Sequence, residues 1–420
     1  AEQAQERYAN QEALALYDQA LALAEQLDRL GQLAPDDALR VYGQCGDALA
    51  ATGAFDLARS RYAYALAGLG PDALDRQATL RRKIGSTHEQ QGDWASALDW
   101  FTAAAENIGA AAPDHGIMVE YAQILSAIGW VHFRQGDLEQ AGRNLEQALD
   151  LIRPLGVDNE EAGILNRLGG VAYLRGDMEQ SRAYVEQSLA ASERGGDLIA
   201  QATALGNLGN LTASQGLGEE AIRFYEQALA LHEQTGSRRM LAITANNLGL
   251  SLRDVERYVE ALQAVEQSHA LAVEQRDRYT QMVTLGNSGR ILALLGDTQA
   301  ARRRLLDGQA MAEELGLVSD QIENHVALGE LALQQGDLAA ALAELERGRA
   351  IAADTGGEEY GRLQRLEARA LWRQGDRAAA LDLLRANVAF FRGLQNIPEA
   401  RRSEKLLAAL GDDLLLTRAT

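Results

Sequence analysis

Along most of this chain, apolar and small residues recur at spacings of three and four, the signature of a helical face. The faces come in pairs around a glycine. Seven residues before that glycine sits a small residue, preceded by a large apolar one: Ile84-Gly85, Ile128-Gly129, Leu168-Gly169, Leu208-Gly209, Leu248-Gly249 and Leu328-Gly329. Five residues after it comes a second small residue (Ala58, Ala97, Ala141, Ser181, Ala221, Ala261, Ala301, Ala341, Ala380), and four further on a bulky one such as Phe101, Leu145, Tyr225 or Leu305. The pattern predicts antiparallel helix pairs. Each is closed by a Gly that adopts positive φ at little cost and is packed closely where small residues meet.

The closing glycine is usually followed by Asp, at Gly92-Asp93, Gly136-Asp137, Gly176-Asp177, Gly296-Asp297, Gly336-Asp337 and Gly375-Asp376; degenerate copies stand at Gly53-Ala54, Gly216-Leu217 and Glu256-Arg257. These positions repeat about every forty residues, so the chain is a stack of one supersecondary unit. Residues 1–420 are expected to form a single array of about nine full repeats, with a partial repeat at 1–30 and a capping helix at about 395–411. Pro35, Pro71, Pro113, Pro154 and Pro398 all fall between repeats, where helix breakers belong. The wider gap between Gly92 and Gly136 predicts a longer loop around 110–116.

Leu-Gly in the first helix, Gly at the turn, and small, bulky and small residues in the second resemble the tetratricopeptide repeat family. The resemblance covers the whole chain. It implies an all-α, right-handed α-solenoid, a superhelix of stacked antiparallel helix pairs. Two features depart from it: the period exceeds the family's usual length of about 34 residues, and the Pro that often ends the second helix is mostly missing. Longer units of this kind are similar to those of kinesin light chain, the Leu-Gly-Asn repeat scaffolds and the C-terminal arrays of bacterial signalling ATPases. HEAT and armadillo repeats share the period but not this spacing. The opening Tyr8-Ala9-Asn10-Gln11-Glu12-Ala13 resembles helical regions that follow an ATPase module, and the chain opens inside a repeat, so an upstream domain is expected.

Charge narrows the partners. Sixty acidic residues against forty basic ones give a net charge of −20, which argues against nucleic acid, because phosphate binding needs clustered positive charge. The single cysteine, Cys45, rules out an internal disulfide framework and, next to Gly46, reads as a buried structural thiol. No apolar run reaches membrane-spanning length and no leader opens the chain, so no membrane partner and a cytoplasmic location are expected. The six histidines are scattered, and HExxH, Cys-x-x-Cys, P-loop and GxSxG patterns are absent. No enzyme activity, metal or cofactor is expected from these residues.

What remains is a surface. In each first helix, the residues six and two before the small position, and one and five after it, share one stripe that avoids the packing face. The slot two before the small residue holds Arg167, Asn207, Asn247 and Asn287 in successive or nearby repeats; Asn210, Asp254 and Arg290 occupy the later slots, with Arg253 beside them. Three Asn one period apart form a ladder. An amide offers both donor and acceptor, which suits the N–H and C=O groups of an extended peptide backbone. The alternative is that these amides bond between neighbouring helices and hold the repeats in register. The family resemblance implies that the stripe lines the concave groove and that Asn in this slot holds peptide backbone. Trp130, Phe133, Tyr173 and Trp372 are possible groove anchors, whereas Trp94 and Trp100 read as core. The expected function is a non-catalytic scaffold or sensor array binding a peptide or protein segment, as the regulatory part of a larger signalling protein. A small-molecule-sensing array and a self-association module are the alternatives, and the sequence leaves the oligomeric state open.

Overall fold

The computed structural model describes residues 22–23, 26, 35–109, 114–352, 357–394 and 396–418. The partial repeat expected at 1–30 therefore lies outside the described residues, apart from Ala22, Leu23 and Gln26. Contacts group the chain into two compact units, residues 1–200 and 201–420. Among the described residues all regular structure is helical, as the repeat pattern requires.

In the first unit the helices are α1 (Pro35–Ala51), α2 (Phe55–Gly68), α3 (Leu74–Gln90), α4 (Trp94–Gly109), α5 (His115–Gln135), α6 (Leu138–Ile152), α7 (Asp158–Leu174) and α8 (Met178–Gly195). A short 3₁₀ turn, Arg153–Leu155, holds Pro154 between α6 and α7. The extra residues after Gly92 lengthen a helix: α5 runs for 21 residues and already includes His115 and Gly116, with Asp114 Oδ1 accepting from Ile117 N at 2.8 Å. The second unit comprises α9 (Leu198–Ser214), α10 (Gly218–Thr235), α11 (Arg238–Asp254), α12 (Tyr258–Gln275), α13 (Arg278–Leu295), α14 (Thr298–Leu315), α15 (Val318–Gln334), α16 (Leu338–Ala352), α17 (Glu358–Gln374), α18 (Arg377–Gly393) and α19 (Ile397–Arg418).

Gly-Asp punctuates the pairs by serving two helices at once. Gly136 takes φ +83 and ends α5, while the Asp137 backbone N–H donates to the His132 carbonyl at 2.9 Å. The Asp137 side chain then caps α6, accepting from Gln140 N at 3.0 Å. Asp177, Asp297, Asp337 and Asp376 cap their helices in the same way. Between repeats a second set of positive-φ residues appears at Gly156, Gly196, Gly236, Gly316 and Gly357, with Arg276 in the same register.

The Leu-Gly position is small because a ring or branched side chain packs onto it. A Cβ added at Gly85 would lie 2.6 Å from the Phe101 ring, one at Gly209 2.6 Å from the Tyr225 ring, and one at Gly289 2.7 Å from Leu305. Phe101 and Leu305 are fully buried, and Tyr225 nearly so. Gly329 differs, because its neighbour is Leu366 of the following first helix. Cys45 is buried, as its place beside Gly46 predicts. From α1 to α8, and again from α10 to α19, each helix packs on the next. First helices also meet one another, α3 with α5, α5 with α7, α11 with α13, α13 with α15, and α15 with α17. Within each unit the first helices thus share one face, and that face carries the candidate site.

Candidate functional site

In residues 1–200 the first-helix face is stitched by polar side chains. Arg82 donates to both Glu120 oxygens at 2.5 and 3.1 Å, and Gln123 Nε2 donates to Glu160 at 2.6 Å. Arg167 Nη1 donates to the Ser126 carbonyl at 2.8 Å and to its hydroxyl at 3.0 Å. The Arg167 guanidinium also lies 5.4 Å over the Trp130 ring, which stacks on Phe133 with centroids 5.1 Å apart. Arg134 covers Trp130 and Trp94. Glu89 joins this cluster, and burial pushes its carboxyl up against the opposing pull of Arg167. Arg167, expected as a groove residue, spends its donors on the preceding first helix.

In residues 201–420 the amides form steps between first helices. Tyr225 Oη donates to Asn210 Oδ1 at 2.7 Å, and Asn247 Nδ2 donates to the same oxygen at 3.2 Å. One repeat on, Asn287 Nδ2 donates to Asn246 Oδ1 at 2.9 Å, and Arg290 Nη1 donates to Asn287 Oδ1 at 3.0 Å. Asn287 is only 5% exposed, so both ends of its amide are engaged inside the stack. Asn210 is exposed, and Asn207 and Asn247 are half-buried. The structure therefore joins Asn210 to Asn247 and Asn287 to Arg290, and it does not bond Asn247 to Asn287.

Charge pairs continue the face. Arg290 Nη2 donates to Glu323 at 2.9 Å, Arg362 binds the other Glu323 oxygen, and Arg369 donates to Glu330 at 3.1 Å. Arg253 grips Asp254 Oδ1 at 2.7 Å. Burial pushes the guanidinium groups of Arg167, Arg253 and Arg290 below the usual arginine range, so their carboxylate and carbonyl partners offset a real desolvation cost. The last helix enters this network. Glu399 of α19 is 4% exposed and receives Arg365 at 2.5 Å and Arg402 at 2.6 Å. Burial pushes the Glu399 carboxyl up, but Arg365, Arg402 and Arg362 outweigh it and hold the group below the usual carboxylate range.

The tetratricopeptide repeat sequence profile matches residues 75–153, 160–234 and 240–314, more than half of the chain. The chain belongs to the tetratricopeptide repeat family. No curated protein sequence matches it. Several solved structures share its fold. A signal transduction ATPase with numerous domains and a tetratricopeptide repeat sensor, from Pyrococcus horikoshii, is 14% identical with a TM-score of 0.59, over 81% of this chain and 52% of that one. A Rap protein complexed with competence and sporulation factor is 16% identical, with a TM-score of 0.52 over 90% of this chain and 99% of that one. The apo quorum sensor NprR from B. thuringiensis is 13% identical, with a TM-score of 0.52 over 80% and 99%.

Tetratricopeptide repeat geometry explains which residues the ladder missed. Glu323 and Glu330 occupy the same stripe slots one repeat beyond Arg290, and Arg362 and Arg369 two repeats beyond it, and the same ruler finds them in the sequence. Arg402 stands six residues before Ala408 and forty after Arg362, so the same ruler finds it, whereas Glu399 falls in none of the stripe slots and no periodic signal marks it. Among the described residues, no three His, Cys, Asp or Glu side chains group as a metal site. No described helix is long and apolar enough to cross a membrane.

Proposed function

We propose that this tetratricopeptide repeat chain is a non-catalytic interaction array that receives a peptide or protein segment on its first-helix face, as the sensing part of a cytoplasmic signalling protein. The observation that carries the proposal is the accessible amide row on α9 and α11. Asn207, Asn210 and Asn247 stay open to solvent on one face of two successive first helices, where apolar residues could pack instead. Asn210 and Asn247 retain amide hydrogens beyond the bonds described above, which suits an extended backbone laid across the helices. Arg253, Asp254 and Arg290 add charge selectivity along the same stripe. A net charge of −20 favours a protein partner over nucleic acid. The relatives agree in kind: one similar structure holds a competence and sporulation factor, another is named a quorum sensor, and a third carries its repeats as a sensor.

The test is to pan a displayed random-peptide library against the full chain and measure the selected peptide by calorimetry. The Asn207→Ala/Asn210→Ala variant is expected to bind at least about tenfold more weakly, a loss of ~1.4 kcal/mol, with unchanged helicity. Unchanged affinity, or no peptide retained by the wild-type chain, sinks the reading.

A further inference from the structure

We propose that the cleft between α1 and α3 is a second binding site, independent of the amide row on α9 and α11, and that it takes a small zwitterion with an aliphatic side chain, such as a free α-amino acid. The cleft encloses about 460 Å³, a volume that suits a small molecule. It exists because of one residue. In the slot three before the small position, α3 and α5 carry Arg82 and Ser126, and each bonds to the following first helix: Arg82 donates to Glu120 at 2.5 Å, and the Ser126 hydroxyl accepts from Arg167 at 3.0 Å. In α1 that slot holds Gly43. A Cβ built there would find its nearest neighbour, Leu80 Cδ2, at 3.9 Å. The gap that a side chain stitches in the next two repeats is therefore open between α1 and α3, and Leu39, Leu69 and Leu80 give it an apolar lining.

The charges on the walls select the ligand. Asp36, Asp37 and Asp47 line the cleft together with Arg40, Arg76 and Lys83, so the lining is neutral in a chain whose net charge is −20. A polyanion or a polycation needs walls of one sign, whereas a zwitterion needs both. Arg76 Nη1 donates to Asp36 Oδ1 at 3.1 Å and Lys83 Nζ donates to Asp47 Oδ2 at 2.8 Å, so ion pairs close the gap at two points about 16 Å apart along α1. The second pair is the receiving one. Tyr62, 2% exposed, donates to Asp47 Oδ1 at 2.8 Å and fixes the carboxylate. The Asp47 and Lys83 side chains are themselves 47% and 30% exposed, and an ion pair so solvated contributes little to stability. A ligand ammonium on Asp47 and a ligand carboxylate on Lys83 replace that weak pair with a ring of four charges. Leu80, one helical turn before Lys83, seats the aliphatic side chain.

Calorimetry on the full chain with L-leucine, L-isoleucine and L-valine, each beside its N-acetyl and its C-terminal amide form, tests the site. At least one free amino acid should bind, and blocking either charge should weaken it at least about tenfold. Lys83→Gln should weaken the free amino acid about tenfold and its amide hardly at all, because the amide has no carboxylate to lose. Gly43→Leu fills the cleft with a better helix former than Gly, so it should abolish binding while the melting temperature holds or rises. No binding by any of the three, or equal binding by the blocked forms, overturns the zwitterion site. Equal weakening of both forms by Lys83→Gln removes Lys83 as the carboxylate's partner, and binding undiminished in Gly43→Leu overturns the placement between α1 and α3. Neither variant touches α9 or α11, so each of these failures leaves the peptide reading standing.

Discussion

Asn287 and Asn246, one repeat apart, are joined by a 2.9 Å hydrogen bond between their side-chain amides, and Arg290 completes the set by donating to Asn287 Oδ1 at 3.0 Å. Asn287→Ala leaves the Asn246 oxygen and an Arg290 donor without partners in a buried setting. The expected loss is about 1–3 kcal/mol, read as a lower midpoint in chemical denaturation. Asn207→Ala, on the half-buried part of the same stripe, should cost less than Asn287→Ala; equal losses would show that burial does not separate the two amides.

The packing of Phe101 onto Gly85 predicts a paired result. Gly85→Ala places a methyl 2.6 Å from the Phe101 ring, which must shift within a core that has no room. Overpacking of this kind costs about 1–3 kcal/mol. Adding Phe101→Leu should recover part of that loss, and strictly additive destabilisation in the double variant would contradict the contact.

Two turn positions carry a side chain where their periodic counterparts carry Gly. Glu256 adopts φ +66 and Arg276 φ +56, both in the left-handed region that L-residues enter at a cost. Glu256→Gly and Arg276→Gly should each stabilise the fold by up to about 1 kcal/mol, with the greater flexibility of unfolded Gly taking back part of the gain. A falling melting temperature in both variants would refute the strain argument.

His232 is 1% exposed, and neither ring nitrogen has a hydrogen-bond partner within the protein. Burial pushes its pKa below the usual histidine value of 6.5. His269 is shifted the same way, by burial and then by Arg304. The folded chain refuses protons that the unfolded chain accepts, so stability is complete above about pH 6.5 and falls as the pH drops below it. Replacing His232 by Leu should flatten the stability profile between pH 5 and about 6.5, followed by thermal melting across that range. A variant profile parallel to the wild type would remove His232 as the cause.

Much of this architecture is legible in the sequence. The Gly-Asp punctuation gave the turns, and the small residue before it gave the close helix contacts. A second glycine series at Gly156, Gly196, Gly236 and Gly316 was equally periodic and marks the turns between repeats. The spacing predicts a loop around 110–116; residues 110–113 lie outside the described residues, and His115 and Gly116 are helical, because Asp114 provides a capping signal that an Ala-, Gly- and Pro-rich context obscures.

The sequence by itself determined the repeat, its two helices and the stripe that faces the neighbouring first helices, because each depends on local spacing and on glycine's backbone freedom. Tertiary structure alone decided which stripe residues are consumed inside the stack. Asn247 and Asn287 occupy identical slots, yet one is half-buried beside Asn210 and the other is sealed between Asn246 and Arg290. Only the fold could bring Arg402 to Asp254, since a contact 148 residues apart has no periodic trace and arises from how successive repeats accumulate their packing angles.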